Sequence, residues 1–135
     1  MSRAPRLLTA AQVRTLHGML LTRFGGLDGR CDEAKLESAL ARPAQRLAYG
    51  EPPPTIAELA AECAFGIARN HPFTDGNKRV ALAAADMLLW LNRFELRADE
   101  VETVVVVRSL AAGEIGVTEL AAWLEKNSKP VKRRR

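Results

Sequence analysis

Two apolar stretches meet at a run of very different character, His71-Pro72-Phe73-Thr74-Asp75-Gly76-Asn77-Lys78-Arg79. After the run, Val80, Leu82, Ala83, Ala84, Met87, Leu88 and Leu91 leave a helix to about Asn92 almost no polar face. A helix apolar nearly all round has to be central, because it has no side to give to water. Before the run, Ile56, Leu59, Cys63 and Ile67 recur at helical spacing with Ala60 and Ala64 between them. Thr55-Ile56-Ala57-Glu58 is a capping box that starts this helix, predicted to end near Asn70. Pro72 disfavours the α conformation at His71, so the helix should stop there. The run therefore reads as a tight polar loop between two buried helices.

Its residue types describe a site. Asn77 is a good N-cap for the second helix, which puts Lys78 and Arg79 in the first turn. Cations are misplaced there, since the helix dipole is positive at that end and each like charge costs about 0.3–1 kcal/mol. Two cations, a glycine free to take φ > 0 and unpaired backbone N–H groups at one helix start make a seat for an anion, most plausibly phosphate. Asp75 beside it suits Mg2+, a hard cation that prefers carboxylate and phosphate oxygens. His71 suits a general base or acid, since imidazole as a side-chain type ordinarily changes charge near neutral pH. Together they point to transfer of a phosphate-containing group, against the plain reading of an interhelical loop with ordinary surface charges.

The run resembles the Fic/Doc signature, His-x-Phe-x-(Asp/Glu/Asn)-(Gly/Ala)-Asn-(Gly/Lys)-Arg, and is closer to the Doc, or death-on-curing, branch of toxin–antitoxin modules. Fic proteins have Gly where this chain has Lys78 and a second Arg where it has Leu82; Gly76 is the more Fic-like choice at its position. The resemblance covers roughly residues 7–125, with 71–79 its specific part. It implies an all-α fold, a compact Fic/Doc helical bundle of about six to seven helices, with the active-site loop between two central helices. It further implies transfer from ATP to a Ser or Thr hydroxyl of a protein, for the Doc branch a threonine of elongation factor Tu, halting translation. In that scheme His71 takes the hydroxyl proton and Asp75 holds Mg2+ across the phosphates. Gly76 (through its backbone), Asn77, Lys78 and Arg79 bind the phosphates, and Phe73 anchors the loop. The bulk and charge of Lys78 favour a reversed nucleotide that presents its γ-phosphate. AMP transfer of the Fic kind is the alternative. A cognate antitoxin is implied as partner, its C-terminal segment binding the helical body, because the chain lacks the Fic inhibitory motif (Ser/Thr)-x-x-x-Glu-(Gly/Asn). The first helix and residues 42–54 are candidate places for it.

Elsewhere the punctuation is helical. Thr9-Ala10-Ala11-Gln12 is another capping box, and Val13, Leu16, Leu20 and Phe24 carry a first helix to about Phe24. His17 shares that apolar face and reads as a packed structural histidine. Gly25-Gly26-Leu27-Asp28-Gly29-Arg30 is a turn-rich loop with no strand before it, so neither a P-loop nor a dinucleotide-fold context exists. The resemblance extends to its Gly-Gly-Leu. Asp32 should cap a second helix stopped before Pro43. Residues 42–54 then read as irregular: by resemblance a flap carrying Arg46, Leu47, Ala48 and Tyr49, or else a plain loop with Tyr49 packed on the body. Arg69 is placed to cap helix-end carbonyls or to reach the anion seat. Arg79, Asp86 and Arg93 make one polar stripe, which argues for surface pairing of Asp86 and not metal binding. Asp99 opens a further helix that includes the strand-prone Val104–Val107, and Thr118 caps a last one.

With 135 residues, 47% of them hydrophobic, the chain is sized for one domain, residues 1–125. The net charge of +4 is local: residues 126–135 hold six cations and no acid, and without them 14 bases face 16 acids, a net of −2. That basic C-terminal stretch reads as a disordered tail. A non-catalytic module whose tail binds nucleic acid or an acidic partner is the alternative; nucleic acid is not expected for the domain alone. Cys31 and Cys63 lack metal-ligand spacing and read as reduced thiols. No apolar run approaches the roughly 20 residues that span a bilayer, so no membrane partner and a cytoplasmic location are expected.

Overall fold

The computed structural model describes residues 4–132. In chain order it contains α1 (Ala10–Phe24), α2 (Glu33–Tyr49), α3 (Ile56–Asn70), α4 (Asn77–Leu91), β1 (Phe94–Leu96), α5 (Glu100–Ala111), α6 (Val117–Lys126) and β2 (Ser128–Pro130). The expected helical bundle is present, with six helices among the described residues. To them is added a two-stranded antiparallel ribbon that pairs Phe94 with Pro130 and Leu96 with Ser128.

α3 is the axis, packed against α2, α4 and α6. Ten of its 15 residues are buried, most of them alanine or glycine, so neighbouring backbones come close. At Gly66 the approach is closest: a Cβ there would lie 2.8 Å from the Ala39 Cα and 2.9 Å from the Ala39 carbonyl oxygen. Because these are backbone atoms, a side chain must push α2 away from α3. Gly66→Val is therefore expected to lower stability by about 1–3 kcal/mol, read as an earlier urea midpoint at unchanged slope. An unmoved midpoint would show that α2 yields freely.

α2 runs on where Pro43 was expected to stop it. Pro43 lies inside the helix and is buried with Leu36 and Ala39. An interior proline costs roughly 3 kcal/mol. α2 offsets this by burying that face on α3 and by pairing Arg42 with Glu62 (2.9 Å) and Arg46 with Glu62 (3.2 Å) and Glu58 (2.7 Å). Glu62 is itself buried, so its two guanidinium partners are needed there. Arg46, Leu47, Ala48 and Tyr49 are accordingly helical, and only residues 50–54 of the expected flap are irregular. Tyr49 is 85% exposed, not packed on the body.

Other expectations shift by less. The last helix begins at Val117, its entry bonded by the Gly116 N–H to the Glu119 carboxylate (3.1 Å), so Thr118 is inside the helix and not its cap. Val104–Val107 are helical as expected. Asp86 pairs with neither arginine of its stripe. The Arg79 guanidinium lies 4.6 Å over the Phe24 ring, and the Asp86 carboxyl is pushed up by burial and by Glu95. The basic stretch is not free from residue 126 onward: Lys126 ends α6, Lys129 is in β2, and the Val131 N–H donates to the Arg93 carbonyl (2.8 Å). Strand pairing between segments some thirty residues apart orders it. Arg133, Arg134 and Arg135 lie outside the described residues.

Candidate active site

The loop between α3 and α4 is shaped by two residues with positive φ. His71 closes α3 at φ 51°, ψ 59°, its N–H donating to the Ile67 carbonyl (3.2 Å). Gly76 opens α4 at φ 80°, ψ 16°. The N-cap is thus Gly76, not Asn77 as expected. The difference matters because it releases the Asn77 side chain to turn back under the loop. Buried there, its Oδ1 accepts from the Phe73 N–H (3.1 Å), while Nδ2 donates to the Phe73 carbonyl (2.9 Å) and to His71 Nδ1 (3.2 Å). Phe73 fixes which way the amide faces, so the contact with His71 is a donated N–H. The neutral His71 ring then carries its own proton on Nε2.

A cleft of about 370 Å³ lies over this loop, lined by His71 and residues 74–79. The structure brings His71, Asp75, Gly76, Asn77, Lys78 and Arg79 onto this one cleft. Phe73 is turned inward into the core, as an anchor and not as a cleft wall. Backbone N–H groups of residues 77–79 precede the first intrahelical bond, from the Val80 N–H to the Gly76 carbonyl (3.0 Å), and so are free of the helix ladder. Lys78 and Arg79 are exposed beside them, and neither makes an ion pair with a described carboxylate. An adjoining recess of about 370 Å³ shares Lys78 and Arg79. Its floor is Leu82, Val104 and Val107, and Arg108 adds a third cation at its rim.

Asp75 is the carboxylate of the cleft. It accepts the Leu27 N–H at Oδ2 (3.1 Å) and the Gly76 N–H at Oδ1 (2.9 Å). These two amides, Leu27 first, hold its carboxyl below the usual range, and Arg79 and His17 add to the effect. Among the described residues no cluster of three His, Cys, Asp or Glu side chains could cage a metal. The donor set suits Mg2+, which binds through one or two carboxylates, ligand phosphates and retained waters. Each Asp75 oxygen still has a lone pair for it.

Two supports of the loop were not legible as such. The glycine-rich turn 25–30 packs against the signature loop. A Cβ on Gly26 would lie 3.0 Å from Asp75 Oδ2, and one on Gly29 would run into Thr74. The Asp32 N–H donates to the Pro72 carbonyl (2.7 Å). In the sequence these glycines read only as a turn, and nothing local says which segment they approach. His17 is buried, as expected of a packed histidine, but its partner is the loop: its ring stacks on Phe73 at 3.9 Å, and Nε2 lies 2.7 Å from the Asp75 carbonyl oxygen. Arg69 does neither of the things expected of it. It reaches over the Phe65 ring (5.6 Å) to the turn at Gly113.

With this geometry goes a class. The chain belongs to the Fic/DOC family, whose sequence model matches residues 7–89, from before α1 through the signature loop and most of α4. Among individual proteins it is similar to "Protein kinase doc" of Escherichia phage P1, 34% identical over 122 residues, which cover 90% of this chain and 94% of that protein. It is also similar to "Toxin Doc" of Mycolicibacterium smegmatis, 43% identical over 77 residues, 56% of this chain and 58% of that one.

Proposed function

We propose that this protein is a Doc-type toxin that transfers the γ-phosphate of ATP to a Ser or Thr hydroxyl of a protein, with elongation factor Tu as the expected target and inhibition of translation as the outcome. The relatives named as a protein kinase and a toxin support the reading. The observation that carries it is Lys78: a second cation, without a carboxylate partner, at a helix start whose N–H groups already attract anions and which shares one cleft with a histidine. Such a placement is unfavourable until phosphate oxygens neutralise it.

In this scheme Lys78, Arg79 and the backbone N–H groups at the start of α4 hold phosphate oxygens. Both side-chain N–H groups of Asn77 are engaged within the loop, so its side chain positions His71 and only its backbone N–H faces the phosphates. Asp75 would hold Mg2+, which supplies neutralisation of phosphate charge. The apolar floor of Leu82, Val104 and Val107 suits the flat face of a nucleobase. His71, on the same cleft as the phosphate seat, takes the proton of the substrate hydroxyl as that oxygen meets phosphorus. The bond to the departing ADP oxygen breaks in the same displacement. Little covalent chemistry is asked of the protein, since phosphoryl transfer is mostly positioning and charge stabilisation. An antitoxin supplied by a separate chain is the expected control.

Mass spectrometry of the target after incubation with ATP and Mg2+ tests this. A gain of one phosphate is expected; a gain of AMP would establish the Fic-type reaction instead.

A further inference from the structure

We infer that His17, on α1, is a positioning residue for the transfer: it sets the orientation of the Asp75–Gly76 peptide on which the phosphate seat is built. The inference rests on the reading above, that this loop is where transfer occurs.

One buried imidazole touches three successive parts of the loop. Its ring lies parallel to Phe73, 10° between planes and 3.9 Å between centroids. Its Nε2 is 2.7 Å from the Asp75 carbonyl oxygen, and since a carbonyl only accepts, Nε2 carries the proton. Gly76 sits over the same ring, where a Cβ would lie 3.6 Å from Nε2.

The consequence follows from peptide geometry. In a trans peptide the C=O and N–H point in opposite directions. With the Asp75 carbonyl tied to His17, the Gly76 N–H is directed away from α1, and there the Asp75 carboxylate receives it at 2.9 Å. That bond and the Leu27 N–H fix where the carboxylate stands relative to the start of α4. Loss of the His17 bond allows the peptide to rotate. The carboxylate, and any dication it holds, then shifts relative to Lys78 and the free N–H groups. His71, held independently by Asn77, keeps its place.

The full chain carrying His17→Phe or His17→Gln tests this. Phenylalanine keeps the ring on Phe73 and removes the donor; glutamine restores an N–H donor without the aromatic ring. In His17→Phe, amide exchange at Gly76 and Leu27 is expected to quicken roughly tenfold, the weight of about one hydrogen bond, while α3 amides stay at the wild-type rate. The Mg2+ concentration for half-maximal transfer should rise by a similar factor, with kcat changed less. His17→Gln should recover most of both. Unchanged exchange at Gly76 and Leu27 overturns the inference. So does equal quickening across α3, which would make His17 a core residue and nothing more, and so does a glutamine variant no better than phenylalanine. A wild-type chain that transfers no phosphate would defeat the proposed reaction, while the exchange measurements would still decide what His17 holds.

Discussion

Replacing His71 by alanine should lower phosphate transfer by about 10²–10⁴-fold, the usual weight of a positioned general base, and leave the protein folded. The side chain is exposed at the end of α3, and its polar contact among the described residues is the 3.2 Å one from Asn77. Little packing is therefore lost with it. The backbone there is left-handed, a conformation that favours glycine and tolerates asparagine best among the rest. His71→Asn is thus the control that removes the imidazole without adding strain. Transfer rates on purified target, growth on expression and a thermal melt together make the measurement. Growth arrest as severe as with the unaltered chain would remove His71 from the mechanism.

Asn77→Ala is expected to harm fold and reaction together. It leaves the buried N–H and carbonyl of Phe73 without their partner, a loss of about 1–3 kcal/mol. In a chain of this size that corresponds to a melting temperature lower by roughly 3–10 °C. Transfer should fall more than tenfold at temperatures where the variant is still folded, because both the loop and the His71 ring lose their hold. Asn77→Asp sharpens the test. The carboxylate keeps an acceptor for the Phe73 N–H, but sets negative charge against the Phe73 carbonyl and close to the phosphate seat. It should transfer no better than the alanine variant. An Asn77→Ala protein with native melting and native transfer would show that the clasp is incidental.

The two variants mark the line between what was readable and what was not. His71, Asp75, Lys78 and Arg79 could be picked out because their chemistry is anomalous for their location: cations at the positive end of a helix, and a histidine before a proline. Asn77 was legible as important but was given the wrong task. A capping role is the common use of asparagine at a helix start, and only the glycine before it, at φ 80°, freed the amide for the loop. Phe73 was expected to anchor the loop and lies in the core. What it anchors against, the His17 ring, comes from a helix more than fifty residues away and left no local trace.

By itself the sequence determined the features whose physics closes within about four residues. The capping boxes at Thr9 and Thr55, the cap at Asp99, the end of α3 at a residue preceding proline and the burial of the helix after the loop are all of this kind. Tertiary structure alone decided α2's passage through Pro43, the ribbon that takes up the basic C-terminal stretch, and the cradle of His17 and the glycine-rich turn beneath Asp75. In each of those cases a local preference was outweighed or completed by a partner distant along the chain: the face of α3 for a helical proline, a facing strand for lysines, a backbone carbonyl for a buried imidazole.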